Sequence, residues 1–117
     1  MGIKASTRQF EDITIVNLSG QIKLGEGSSV VRDIVKDLLA KGNKKILLNL
    51  AEVSYIDSSG IGELVGAFTK VQAQGGQLKL LNPMVKVVNV LRLTRLDHLF
   101  PVETDEAAAI QSFTLPG

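Results

Sequence analysis

The run Ile46-Leu47-Leu48-Asn49-Leu50 restricts the fold of this chain more than any other segment. It is short and nearly continuous in apolar residues, as a strand covered on both faces reads. The turn Asp57-Ser58-Ser59-Gly60 follows a few residues later, and an amphipathic helix follows the turn. A strand that empties into a turn and then a helix aims free backbone N–H groups and a helix dipole at one spot. Here that spot carries two hydroxyls and a carboxylate, a setting suited to a phosphate group, bound or covalently attached.

The flanking segments extend the pattern. Ser6 to Phe10 and Asp12 to Leu18 alternate closely enough to read as two short strands, joined at Glu11-Asp12 in a tight antiparallel hairpin. Gly20, Gly25 and Gly27 mark a loop, after which Ser28 or Ser29 can cap a helix. Val30, Val31, Ile34, Val35, Leu38 and Leu39 form its apolar stripe, and Gly42 ends it. A second helix from about Ser59 to Gln74 buries Ile61, Leu64, Val65, Phe68 and Val71, and Gly75-Gly76 stops it. Leu78 to Leu81 is the next strand. Asn82-Pro83 starts a third helix with Val87, Val88 and Leu91 inward. Leu99 to Val102 is a short last strand, Thr104 caps a final helix through about Phe113, and Thr114 to Gly117 is a loose tail. The predicted order is β-β-α-β-α-β-α-β-α. Strand-helix-strand units impose parallel pairing and right-handed crossovers. The expectation is an α/β fold: a mixed β-sheet, antiparallel at its N-terminal hairpin and parallel thereafter, with four covering helices in one domain over residues 1–117.

Composition narrows the function classes. The chain has 117 residues, 44% hydrophobic, with a formal net charge of +1. It is long enough for a real core, and its overall charge gives no strong field for nucleic acid or an anionic membrane. There is no cysteine, which excludes disulfides and thiolate metal sites and fits a cytoplasmic protein. No apolar run approaches a membrane span. The start Met1-Gly2-Ile3-Lys4-Ala5-Ser6 fits the loose myristoylation pattern, but a first strand that happens to begin with glycine is the favoured reading.

Enzyme readings fail on missing parts. A nucleophile elbow needs a glycine where Ile56 stands, and the lone His98 sits in a Leu-rich segment as a structural or surface residue. Gly60-Ile61-Gly62 lacks the spacing of a dinucleotide fingerprint, and Gly25-Glu26-Gly27-Ser28 lacks the lysine of a phosphate loop. An aspartyl-phosphate at Asp57 wants an acidic pair at the end of the first strand, and none is there. The carboxylates are scattered, so neither a metal nor a cofactor is expected. Lys36 to Lys41 and Lys44-Lys45 read as a solvated helix end, and aromatic residues, at 4%, are too few for a stacking platform.

Asp57 and Ser58 can be read as no more than a helix start, because Asp and Ser are good N-caps. Gly62 and Gly66 add a further demand. Inside a helix each costs roughly 1 kcal/mol relative to alanine. Four apart, with Thr69 and Ala73 flanking, they form a small-residue strip to the side of the apolar stripe. Something approaches this helix closely, either a neighbouring helix of the same chain or a docked partner.

Val53-Ser54-Tyr55-Ile56-Asp57-Ser58-Ser59-Gly60-Ile61-Gly62 resembles the signature of STAS domains, specifically the anti-sigma-factor antagonists of bacteria. The similarity covers nearly the whole chain, through Gln74-Gly75-Gly76-Gln77-Leu78-Lys79-Leu80, Leu91-Arg92-Leu93-Thr94-Arg95-Leu96-Asp97-His98-Leu99-Phe100 and Thr104-Asp105-Glu106-Ala107-Ala108. Arg95 stands where the family often has glycine. Lys23 stands near where relatives often carry an acidic residue. Both departures bear on partner identity more than on fold.

The resemblance implies that Ser58 is a phosphate acceptor. It implies that Asp57, Ser58, Ser59, Gly60, Gly62 and Gly66 belong to a partner-binding surface, and it favours a partner over a neighbouring helix as what the glycines admit. The implied partner is an anti-sigma factor that doubles as a serine-protein kinase; binding it frees a sigma factor. Phosphorylation by that kinase weakens the complex, and a serine phosphatase restores it. The alternative is a STAS scaffold subunit of a stress-sensing or lipid-transport assembly, without a sigma-factor role. Oligomeric state, the identity of kinase, sigma factor and stimulus, and modification of Ser59 stay open.

Overall fold

The structure, a computed structural model, describes residues 2–113. The expected tail, Thr114 to Gly117, lies outside them. The elements are β1 (Ile3–Phe10), β2 (Ile13–Ile22), α1 (Glu26–Ala40), β3 (Lys45–Ile56), α2 (Ser58–Ala73), β4 (Gln77–Leu81), α3 (Val85–Leu93), β5 (Val102–Glu103) and α4 (Glu106–Ser112). Five strands form one sheet in the order β1-β2-β3-β4-β5. The β1–β2 pair is antiparallel and the others are parallel. The hairpin turns at Glu11-Asp12, with Phe10 opposite Ile13 and Glu11 at φ 54°. Order and sheet type are as the sequence predicts.

The apolar run in β3 owes its continuity to two cores. Ile46, Leu48 and Leu50 point into a large cluster roofed by α1, α2 and α3. Leu47 points the other way, into a smaller cluster with Ile13, Ile15, Leu81, Ala109 and Phe113 beneath α4. Asn49 follows Leu47 on that second face. It is half-buried and its side-chain amide donates to Asn17 Oδ1 (2.9 Å) on the neighbouring strand.

β2 and β3 both run longer than expected. β2 continues through Gly20 to Ile22, so Gly20 is a strand residue at φ 113° rather than a loop marker. β3 continues to Ile56, seven residues past Asn49, its last pairing with β4. That extension pairs with β2 alone, ending at Ile22 opposite Ile56. The β2–α1 loop and the β3–α2 turn therefore leave the sheet side by side.

The helix ends correct several expectations. α1 starts at Glu26 after Gly25, and neither serine caps it; Ser28 is buried and its hydroxyl donates to the Lys23 carbonyl (3.0 Å). Of its predicted stripe, Val30 and Ile34 are only half-buried. α3 starts two residues beyond Pro83, with Met84 at its N-cap, and Val88 is half-buried. The last strand shrinks to Val102–Glu103 because Phe100 is drawn into the core, where it meets Phe68 edge-on with ring centroids 5.4 Å apart. Asp105, not Thr104, caps α4 by accepting from the Ala108 N–H (2.9 Å).

α1, α2 and α3 stop in one way. A residue in the left-handed region closes each: Gly42 at φ 84°, Gly75 at φ 77° and Arg95 at φ 60°. The next N–H reaches back to the carbonyl five residues earlier, as from Asn43 to Leu38 (2.9 Å), Gly76 to Val71 (2.9 Å) and Leu96 to Leu91 (2.8 Å). No helix among the described residues is long and apolar enough to cross a membrane.

Candidate functional site

Asp57 organises the junction. Its N–H donates to the Ile22 carbonyl (3.2 Å), so the backbone is still tied to β2 where β3 ends. Its φ of −106° and ψ of −174° are extended, and its side chain caps α2: Oδ1 accepts from the Gly60 N–H at 2.9 Å. The other oxygen is also bonded within the chain. Oδ2 accepts from the Leu24 N–H at 3.1 Å, across from the β2–α1 loop. The Gly60 N–H first, then the Leu24 N–H, hold the Asp57 carboxyl below its ordinary pKa. One carboxylate thus joins a helix start to a loop more than thirty residues earlier in the chain.

The loop it holds is well tied. The Lys23 carbonyl accepts from both the Ser28 N–H and the Ser28 hydroxyl, each at 3.0 Å, and the Gly25 carbonyl accepts from the Ser29 N–H (3.0 Å). At its tip Leu24 is 77% exposed. Sequence reasoning missed Leu24. The only signal was an apolar residue between Lys23 and Gly25 in an otherwise polar loop.

The predicted site residues divide into two groups. Gly60 is buried, and a Cβ there would overlap the Ile22 carbonyl oxygen and lie 2.7 Å from Ile56 Cγ1. Its lack of a side chain answers an internal contact. Asp57, half-buried, is likewise occupied within the chain. Ser58 is exposed as the first residue of α2, and none of the hydrogen bonds among the described residues engages its hydroxyl. Ser59 is half-buried beside it. Gly62 is exposed and Gly66 half-buried, and a Cβ on either would meet nothing within 4 Å. No helix of the described chain packs against them, which removes the internal reading of that strip. Its position is corrected too. Gly60, Ile61, Leu64, Ala67 and Val71 face the core, while Gly62, Thr69 and Ala73 lie on the opposite, outward face. The strip from Ser58 along Gly62 and Gly66 is therefore a smooth ridge in water. Arg32 of α1 borders it through an ion pair with Glu63 (3.2 Å).

The Ser58 hydroxyl is accessible at a helix N-terminus, where an added anion is favoured. The nearest carboxylate has both oxygens committed to N–H donors, so it is no general base for that hydroxyl. His98 lies at the surface, its side chain 3.9 Å from the Asp97 carboxylate.

Known proteins share this fold. The STAS domain family model matches residues 4–109. The anti-sigma-B factor antagonist of Bacillus subtilis is 31% identical over 111 residues, spanning 95% of this chain and 100% of that one. The crystal structure of the Thermotoga maritima protein TM1081 superposes with a TM-score of 0.88 at 28% identity, covering 95% of both chains. The Bacillus cell fate determinant SpoIIAA has been solved in its phosphorylated form, similar to this chain with a TM-score of 0.73 at 22% identity over 93% of this chain and 98% of that one. Its unphosphorylated form scores 0.70 at 21% identity, over 93% and 96%. At that identity the SpoIIAA likeness concerns the fold.

Proposed function

This chain belongs to the STAS domain family, and on that premise we propose that it is an anti-sigma-factor antagonist whose binding is switched by a phosphate on Ser58. The observation that carries the reading is Ser58 itself: an exposed hydroxyl, unbonded among the described residues, at the head of α2, beside a ridge on which none of the described chain is packed.

Unmodified, the domain binds an anti-sigma factor that is also a serine kinase, and so frees a sigma factor. Ser58, Ser59, Gly62 and Gly66 form the contact, and the two glycines let the partner's backbone come close. Asp57 and Gly60 shape that surface from beneath. In the reverse step Ser58 Oγ attacks the γ-phosphorus of ATP, ADP leaves, and the hydroxyl proton passes to a base of the kinase. The chain supplies no such base and performs no catalysis of its own.

The phosphate adds roughly −1.5 to −2 charges beside the ionised Asp57. The α2 N-terminus accepts that charge, so the fold is kept and the cost falls on the partner. SpoIIAA, solved with and without its phosphate, is a relative in which one fold holds both states. A serine phosphatase completes the cycle, in the cytoplasm.

The test is the acceptor. With the cognate kinase and ATP, phosphate appears on Ser58, and Ser58→Ala abolishes it by mass spectrometry. Phosphate mapping instead to Ser59, Thr69 or Thr94 contradicts the assignment. Incorporation of a purified chain into a large assembly, with no kinase contact, favours the scaffold role.

A further inference from the structure

The net charge of +1 conceals a segregation along the chain. Every residue from Leu64 to Leu96 is either uncharged or basic, and this stretch holds Lys70, Lys79, Lys86, Arg92 and Arg95. All of the acidic residues lie outside it. Lys79 turns to the α4 side of the sheet, where its ammonium donates to Ser112 Oγ (2.7 Å) and sits 4.8 Å from the Phe113 ring centroid. Lys70, Lys86, Arg92 and Arg95 are exposed, and none of the ion pairs among the described residues includes them.

Three of those four cations surround one helix face. α3 buries Val87 and Leu91. At helical spacing the opposite, outward stripe is Val85, Asn89 and Leu93, with Lys86 on one flank and Arg92 on the other. Val85 is 74% exposed and Leu93 is 84% exposed. Arg95 stands at the end of the stripe in the left-handed conformation that Gly42 and Gly75 take at the other helix stops. An arginine is strained there, and it supplies a third cation beside Leu93. Scattered exposed aliphatic residues need no explanation. A protruding aliphatic stripe with cations on both flanks, in a stretch whose next acid is Asp97 beyond Arg95, is a more specific arrangement.

We propose that the outer face of α3 docks on an anionic phospholipid surface. Val85 and Leu93 enter the headgroup boundary, and Lys86, Arg92 and Arg95 reach outward to lipid phosphates, as flanking cations do on interfacial helices. Nucleic acid fits less well, because the stripe offers aliphatic side chains and no aromatic ring on which a base could stack. An acidic protein would need a groove matched to a convex ridge, whereas a bilayer surface deforms around one. The contact is independent of Ser58 and stands or falls apart from the phosphorylation reading.

The full chain is sedimented with vesicles of phosphatidylglycerol mixed into phosphatidylcholine, and with phosphatidylcholine alone, at low salt. Wild type binds the anionic vesicles at least about tenfold more strongly, and added salt removes the difference. Leu93→Asp and Lys86→Glu each lower the partition by about tenfold, and Arg95→Gly by about fivefold. Arg95→Gly also relieves backbone strain, so its loss of binding comes with an unchanged or higher Tm and is no folding defect. Equal binding to the two vesicle types, or anionic-vesicle binding by Leu93→Asp and Arg95→Gly that matches wild type, overturns the proposal and leaves an acidic protein as the occupant of the face.

Discussion

At the scale of single residues, Asp57 is the tie on which the site depends. Its two oxygens divide between the Gly60 and Leu24 N–H groups, so replacing it frees both the α2 start and the loop tip. Asp57→Ala should lower the Tm by about 3–8 °C in thermal unfolding followed by circular dichroism. The pH dependence has a definite sign. A carboxyl held below its ordinary pKa contributes stability that is present above the unfolded-state value and is lost as pH falls through the folded-state value. The Tm gap between wild type and Asp57→Asn should therefore be full near neutral pH and narrow as the pH drops below the ordinary carboxylate range. A gap that widens in acid contradicts the assignment. This residue also shows how far a sequence can be read. An Asp before Ser-Ser-Gly signals a cap, which is local chemistry. The bond to Leu24 joins residues from different loops and leaves no mark in either segment.

At the scale of elements, α2 and α3 make opposite uses of glycine positions. A Cβ at Gly60 collides with the Ile22 carbonyl, so Gly60→Ala should cost about 2–3 kcal/mol in denaturant unfolding. Gly66 has open space around it, so Gly66→Ala should stabilise the isolated protein by about 0.5–1 kcal/mol. A large residue at Gly66 should spare folding and weaken partner binding. If Gly66→Ala destabilises instead, the ridge is packed rather than free. At the end of α3, Arg95 occupies a left-handed position where glycine is relaxed. Arg95→Gly should add about 0.5–1 kcal/mol, since the strain it relieves exceeds the freedom that glycine gains in the unfolded chain.

The order of elements was legible because each has its own period: alternating in the hairpin, continuous in β3, helical in the stripes. Their ends were less so. Ser28, Thr104 and Pro83 all carry start signals, yet the backbone starts its helices elsewhere. The Ser28 hydroxyl is spent on the Lys23 carbonyl, and Asp105 outcompetes Thr104 one residue later. The last strand is shorter than its sequence suggests, because Leu99 and Phe100 look like strand residues while tertiary packing on Phe68 takes Phe100 into the core.

At the scale of the whole molecule, the parallel pairing of β2 and β3 brings their C-terminal ends to one end of the mixed sheet, and their shared extension beyond β4 sets Leu24, Asp57 and Ser58 together at its tip. The core lies behind this tip, so a charge added there need not disturb packing. The positions of Asp57 and Ser58 were readable from the strand-turn-helix pattern, whereas the outward direction of Gly62 and Gly66 required the helix to be set against its neighbours. In the proposed switch, a phosphate on Ser58 acts on the interface and not on the fold. This is tested most directly by measuring Tm and affinity for the cognate anti-sigma factor on the same preparations, phosphorylated and unphosphorylated. The Tm should stay within about 4 °C of the unmodified value, and the affinity should weaken about 30- to 150-fold, equivalent to about 2–3 kcal/mol. A phosphorylated chain that melts well below the unmodified one, or that binds its partner equally tightly, would contradict the switch.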